Sequence, residues 1–153
     1  MITRRDLFKV AGVGAVAVVA APGMVRESFG AKPKKISIDD SLKEHLGTGL
    51  SGLKESNLIN IKAPTIAESG ANVPVQVSAN IPIDQVEALY IFADANFNPW
   101  VATVELTPMN GEVFFATRIK LAKTSPVRAV IKMKDGSLLA AAKEVKVTVG
   151  GCG

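Results

Sequence analysis

Val127-Arg128-Ala129-Val130-Ile131-Lys132-Met133-Lys134-Asp135-Gly136 is the stretch that decides the fold. Val127, Ala129, Ile131 and Met133 fall on one face, and Arg128, Val130, Lys132 and Lys134 fall on the other. A period of two is the mark of a β-strand. Asp135-Gly136 closes it with a pair that tolerates the positive φ values of a tight hairpin turn. The chain then runs from Leu138 to Val149, with Val145, Val147 and Val149 expected inward and Lys146 and Thr148 outward. Upstream, Val73, Val75, Val77 and Ala79 alternate with Pro74, Gln76, Ser78 and Asn80, and the early proline suggests an edge or a strand start. Leu58–Ile61, stopped by Pro64, Glu87–Phe92, Trp100–Leu106 and Glu112–Leu121 complete the set, with turns at 94–99 and at Asn110-Gly111. One short helix is predicted ahead of them. Ser41-Leu42-Lys43-Glu44 reads as a capping box, Ile38, Leu42 and Leu46 share a helical face, and Gly47 is placed to end the helix. The expected fold is all-β: an immunoglobulin-like antiparallel β-sandwich of about seven strands, with one short N-terminal helix and a flexible C-terminal arm.

The 153 residues are 48% apolar and 21% charged, the composition of a packed domain and not of a disordered chain. The net charge of +4 is carried half by residues 1–31, since residues 32–153 hold 14 basic and 12 acidic side chains. The basic residues are scattered and not interleaved with aromatics, so no nucleic-acid partner is expected. Thr3-Arg4-Arg5-Asp6-Leu7-Phe8-Lys9 resembles a twin-arginine export motif and is followed by an uncharged run, Val10–Val25, too short and too glycine-diluted for a spanning helix. Residues 1–31 are therefore expected to be a cleaved twin-arginine signal, with Arg4 and Arg5 as its signature. Residues 32–149 are the sandwich, and residues 150–153 an arm. The mature protein is expected in the periplasm, an oxidising compartment.

The arm is Gly150-Gly151-Cys152-Gly153, and Cys152 is the chain's only cysteine. A lone cysteine makes no internal disulfide, and with a single histidine in the chain it builds no zinc site, so no metal and no cofactor are expected. Flanking glycines shield nothing, so the thiol is expected on an accessible stub at the end of the last strand. Four residues at about 3.3 Å each would reach on the order of 13 Å. Cys152 has no local cation, helix N-terminus or second thiol to lower its pKa, and the expected neighbouring C-terminal carboxylate disfavours a thiolate. This chemistry suits a handle worked on by other proteins better than a catalytic nucleophile.

The ending Val145-Lys146-Val147-Thr148-Val149-Gly150-Gly151-Cys152-Gly153 resembles the SoxY family, the sulfur-carrier proteins of thiosulfate oxidation, which end in a strand running into Gly-Gly-Cys-Gly-Gly. A second block, Ala63-Pro64-Thr65-Ile66-Ala67-Glu68-Ser69-Gly70-Ala71-Asn72-Val73-Pro74-Val75, is similar to that family's Pro-x-Ile-Ala-Glu-Asn-Gly-x-x-Val-Pro-Val segment. Two departures stand out: one glycine follows Cys152 where the family usually has two, and Ser69 stands where asparagine is usual. The resemblance implies that Cys152 is the covalent sulfur attachment point and that Gly150, Gly151 and Gly153 keep the arm flexible. It also implies a SoxZ-type β-sandwich subunit as a heterodimer partner. A c-type cytochrome enzyme would load the thiol, a manganese-dependent thiosulfohydrolase would remove sulfate, and a sulfur dehydrogenase would oxidise what remains. The protein would be a carrier and not an enzyme.

The competing readings are a structural β-sandwich that dimerises through a Cys152 disulfide, and a stand-alone sulfurtransferase or thiol peroxidase, for which no base, cation or resolving thiol is visible. His45 is expected on the helix in a packing or surface role and Trp100 at the rim of the core. Asp84, Glu87 and Asp94 are assigned to solvent.

Overall fold

The computed structural model describes residues 34–151. Residues 1–33, with Arg4 and Arg5 of the expected signal, and the tail residues Cys152 and Gly153 lie outside the described residues. Helix α1 spans Ile38–Leu46, and the strands are β1 (Lys54–Glu55), β2 (Ile59–Lys62), β3 (Ile66–Ser69), β4 (Val73–Ala79), β5 (Val86–Ala93), β6 (Trp100–Glu105), β7 (Val113–Ile119), β8 (Ser125–Met133) and β9 (Leu138–Val149). One sheet has the order β1-β9-β8-β5-β6, with β3 also paired to β9, and the other is β2-β4-β7. The immunoglobulin-like sandwich of the sequence reading is the observed architecture. Two of the nine strands were not foreseen. Both β1 and β3 pair with β9 in parallel, whereas the other ladders are antiparallel.

The inner faces interlock as the alternation requires. Val73, Val75 and Val77 of β4 meet Leu89 and Ile91 of β5, Val127, Ala129 and Ile131 of β8 and Val145 of β9 in one core. Val149, expected inward, is 63% exposed, because β9 outruns the core at that end. Strand β5 lies inside the larger sheet, between β8 and β6, and is covered on both faces. That is why Ala88-Leu89-Tyr90-Ile91-Phe92-Ala93 reads as a continuous apolar run and not an alternating one.

Its second cover is α1, which lies on the outer face of the larger sheet. Leu42, with Ile38 and Leu46, packs on Phe92, Val130, Leu138 and Ala140 to make a second core. The helix begins earlier than the capping-box reading placed it. Ser37 is the N-cap and accepts a hydrogen bond from the Asp40 N–H, while Ser41 is a buried helical residue. The end is as expected: Gly47 sits at φ 74° and its N–H donates to the Lys43 carbonyl. His45 stacks on Trp100 with ring centroids 4.8 Å apart, which fastens the helix to β6. Glu87 and Asp94 are not simply solvated. They pair with Lys132 and Arg128, each at 2.7 Å, because neighbouring strands bring residues 34 and 45 positions apart into register. Among the described residues, no helix is long and apolar enough to cross a membrane.

Phe92 is fully buried in this second core, with the His45 ring edge-on at 6.3 Å. Phe92→Ala leaves a cavity that α1 and the sheet cannot both close, and is expected to cost about 3–5 kcal/mol of unfolding free energy. Urea unfolding followed by tryptophan fluorescence measures it. A loss under about 1 kcal/mol would show that the helix layer is not held by this packing.

Candidate functional site

The last strand delivers the chain to one end of the sandwich, where three loops meet. They are the β3–β4 turn at Gly70–Asn72, the β7–β8 loop at Lys120–Thr124 and the β5–β6 turn at Asp94–Pro99. Strand β3 runs alongside the final turns of β9, with Ile66, Ala67 and Ser69 opposite Lys146, Val147 and Val149. The Thr65 carbonyl accepts from the Lys146 N–H at 3.0 Å, and on the other edge the Thr124 hydroxyl accepts from the Val147 N–H at 3.0 Å. The strand is thus held to Val149 on the β3 edge and to Val147 on the other.

Past Val149 the backbone enters a slot. Gly70 N–H donates to the Val149 carbonyl at 2.7 Å, Leu121 N–H donates to the Gly70 carbonyl at 2.7 Å, and Gly151 N–H donates to the Leu121 carbonyl at 2.9 Å. The slot has no room for side chains. A Cβ on Gly150 would stand 2.3 Å from the Ala122 carbonyl oxygen, and one on Gly151 would stand 2.6 Å from the Gly70 carbonyl. One on Gly70 would stand 2.0 Å from the Leu121 carbonyl oxygen. All three obstacles are backbone atoms, which cannot swing aside as a side chain can. Gly150 and Gly151 were expected to be glycine for flexibility. What the structure shows at these two residues is backbone packed against backbone, a requirement of close approach.

The β7–β8 wall of the slot is itself braced. Asn96, 4% exposed, donates from Nδ2 to the Lys120 carbonyl at 2.8 Å and accepts at Oδ1 from the Ala122 N–H at 2.9 Å. Ser125 Oγ accepts from the Ala95 N–H at 2.9 Å, and the Leu121 side chain is buried in the main core. On the β3–β4 side, Ser69 Oγ accepts from the Ala71 N–H at 3.3 Å, the local turn bond that serine can make in place of asparagine. Neither Gly70 nor Asn96 was singled out from the sequence. The signal for Gly70 was present in the Ser69-Gly70-Ala71-Asn72 turn, while Asn96 looked like any other residue of a polar turn.

Among the described residues, none of the ionisable groups displaced from their ordinary values lines the slot. The ionisable groups displaced from their ordinary values are Asp39 and Lys43, held down and up by their mutual hydrogen bond, Lys132, held up by Glu87, and Asp135, held down by Ser137. A hollow of about 400 Å³ is lined by Leu53, Ser56, Arg128 and Ala140–Ala142, toward the start of β9. Among the described residues, no group of three or more His, Cys, Asp or Glu side chains could hold a metal ion.

A small β-sandwich whose last strand feeds Gly150 and Gly151 into a braced slot is a scaffold that positions the chain leading toward Cys152. The sequence matches the family described as sulfur oxidation protein SoxY over residues 43–152, and the chain belongs to that family of sulfur carriers. Among solved structures it is similar to the sulfur carrier protein SoxY from Chlorobium limicola f thiosulfatophilum, at 38% identity and a TM-score of 0.62, covering 74% of this chain and 97% of that one. A variant superoxide reductase (neelaredoxin) from Ignicoccus hospitalis, 19% identical with a TM-score of 0.54 over 62% of this chain and 94% of its own, shares the fold alone. A search of curated proteins gives no match.

Proposed function

We propose that this chain is an exported, periplasmic sulfur carrier of thiosulfate oxidation, with Cys152 as the covalent attachment site. The observation that supports it best is the meeting of the two stretches that resemble the SoxY family. The Ala63–Val75 block and the Gly-Gly-Cys-Gly ending lie some 80 residues apart, yet Gly70 of the first and Gly151 of the second sit against one another at the mouth of the tail.

In the proposed loading step the Cys152 thiol loses its proton and its sulfur forms a disulfide bond to the outer sulfur of thiosulfate. The product is a cysteine S-thiosulfonate, and the two electrons released pass to a c-type cytochrome partner. Water then cleaves the sulfur–sulfonate bond in a manganese-dependent hydrolase, releasing sulfate and a proton and leaving a persulfide on Cys152. That step involves no net electron transfer. A sulfur dehydrogenase oxidises the remaining sulfane to a sulfonate, taking the oxygen atoms from water and passing the electrons to a cytochrome acceptor, and the carrier works as a heterodimer with a SoxZ-type β-sandwich. The described part of the chain supplies position for the segment leading to Cys152, which suits a protein that bears substrate for other enzymes.

Intact mass spectrometry of the mature protein, purified without reductant and measured before and after reduction, tests the reading. Reducible adducts of one or more sulfurs or of a thiosulfonate are expected after exposure to thiosulfate and the loading enzyme. Free thiol alone, or only a plain disulfide-linked dimer, would favour the structural module that dimerises through Cys152.

A further inference from the structure

We propose that Asn96 is a positioning residue for the carrier tail: through the β7–β8 loop it fixes the carbonyl that holds Gly151, and with it the point from which the chain departs toward Cys152. The inference rests on the carrier reading above for its functional consequence, but its structural content stands on described residues alone.

The geometry is that of a missing strand. Along an extended backbone, the carbonyl of one residue and the N–H of the next but one point to the same edge, and the groups of the residue between them point to the opposite edge. In the segment Lys120–Ala122, one edge offers the Lys120 carbonyl and the Ala122 N–H, and both are taken by the two ends of the Asn96 side-chain amide, at 2.8 and 2.9 Å. The other edge offers the Leu121 N–H and carbonyl, which are taken by Gly70 and Gly151 at 2.7 and 2.9 Å. The primary amide, one donor and one acceptor on one carbon, thus replaces a neighbouring peptide group. It fixes the rotation of the very residue whose opposite edge grips the tail.

Asparagine is the side chain that suits this. Serine offers one short hydroxyl, aspartate has no donor when ionised, and glutamine is a methylene too long for a turn held by the Asn96 N–H bond to the Ala93 carbonyl at 3.1 Å. Removing the amide leaves a carbonyl and an N–H without partners at a partly buried site, so the loop turns toward water. The slot on its other edge has no slack, since any added atom on Gly150 or Gly151 would already collide with backbone. Small rotations of Leu121 therefore displace Gly151.

Amide hydrogen exchange followed by NMR on the mature chain tests this, with Val145 in the core as the reference amide. Asn96→Ala is expected to lower the protection factor of Gly151 at least tenfold relative to Val145. It is also expected to raise the KM of the cytochrome loading enzyme for the carrier at least tenfold, with kcat within twofold. Asn96→Asp adds a pH signature that a purely structural residue would not give. The neutral acid can donate to the Lys120 carbonyl and accept from Ala122, while the carboxylate faces a carbonyl, so Gly151 protection is expected to be near wild type in acid and to fall as pH rises. The other charges of the two packed segments are the Asp94–Arg128 ion pair and the exposed Lys120 and Lys123. Gly151→Ala approaches from the other side, since its Cβ would meet the Gly70 carbonyl and the Ala71 nitrogen and not the Lys120–Ala122 segment; it is expected to loosen Gly151 while leaving the Ala122 amide protected, and serves if Asn96→Ala does not fold. Unchanged Gly151 protection in Asn96→Ala, or no pH dependence in Asn96→Asp, would overturn the proposal. Lost protection in a protein whose wild type never acquires sulfur would leave the clamp standing and remove the carrier reading.

Discussion

Cys152→Ser is expected to abolish sulfur loading completely while leaving the sandwich intact. The chain has one cysteine, and its only other sulfur atoms are the thioethers of four methionines, which form no disulfide with thiosulfate. A serine hydroxyl at the same place has neither the acidity nor the polarizable sulfur that the oxidative coupling requires. In thiosulfate and loading enzyme, the wild type should gain reducible mass and Cys152→Ser none, with the two proteins unfolding at the same urea concentration. The same substitution separates the two readings of the tail. A dimer that disappears in the serine variant while the wild type takes up no sulfur would identify Cys152 as a cross-link and not a carrier site. Adducts that persist in the serine variant would place the attachment elsewhere.

Gly70→Ala is expected to have the second-largest effect, and it acts on a part of the molecule that is fully described. Its methyl group would stand 2.0 Å from the Leu121 carbonyl oxygen, 2.8 Å from the Gly151 nitrogen and 3.0 Å from Val147 Cγ1. Two of these neighbours are backbone, so the β3–β4 turn, the β7–β8 loop or the tail must give way. Whichever moves, the Gly70–Val149, Leu121–Gly70 and Gly151–Leu121 hydrogen bonds are broken or stretched. Overpacking of this kind costs about 1–3 kcal/mol. The loss in loading should exceed what stability explains, with kcat/KM falling at least tenfold at temperatures where the variant is fully folded. Gly136→Ala is the matched control. Gly136 adopts φ 85° in the β8–β9 hairpin, so alanine there strains the backbone, but a Cβ would touch nothing within 4 Å and the tail is untouched. It should lose stability and keep loading. Equal loss of loading in the two variants would mean that the slot has no role beyond folding.

The same contacts change what a substitution at Gly151 can report. On a free arm, a bulky residue there would block entry into a partner and leave the carrier undisturbed. The structure puts the first obstacle at home, since the Gly70 carbonyl and the Ala71 nitrogen already stand within 2.7 Å of the added carbon. Gly151→Leu therefore acts on the carrier's own slot before it meets a partner.

Much of the fold was legible from local pattern. The alternation in Val73–Asn80 and Val127–Lys134 gave strand, face and turn together, because side chains of a strand must alternate between core and water. The continuous apolar run at Ala88–Ala93 was legible as a strand but not as one covered on both faces, since periodicity does not say what lies on the second side. Strand β1 is two exposed residues and β3 has a single buried one, so neither carries a period to read. They exist because β9 is long enough to offer each a free edge. The start of α1 was misplaced by a second plausible cap at Ser41, which packing draws into the interior beneath the helix while Ser37 caps the end.

By itself, the sequence determined the β-sandwich, the position of the single thiol beyond the last strand, and the family in which both belong. These follow from short-range rules: periods of two, turn residues that accept positive φ, and a motif contiguous in the chain. Only the tertiary structure decided that the glycines before Cys152 pass through a slot, that Gly70 and Leu121 form its walls, and that Asn96 stands in for a strand behind one of them. Residues 70, 96, 121 and 151 carry no shared local pattern. Their relation is one of backbone hydrogen bonds and excluded volume between segments that meet only after the two sheets have closed.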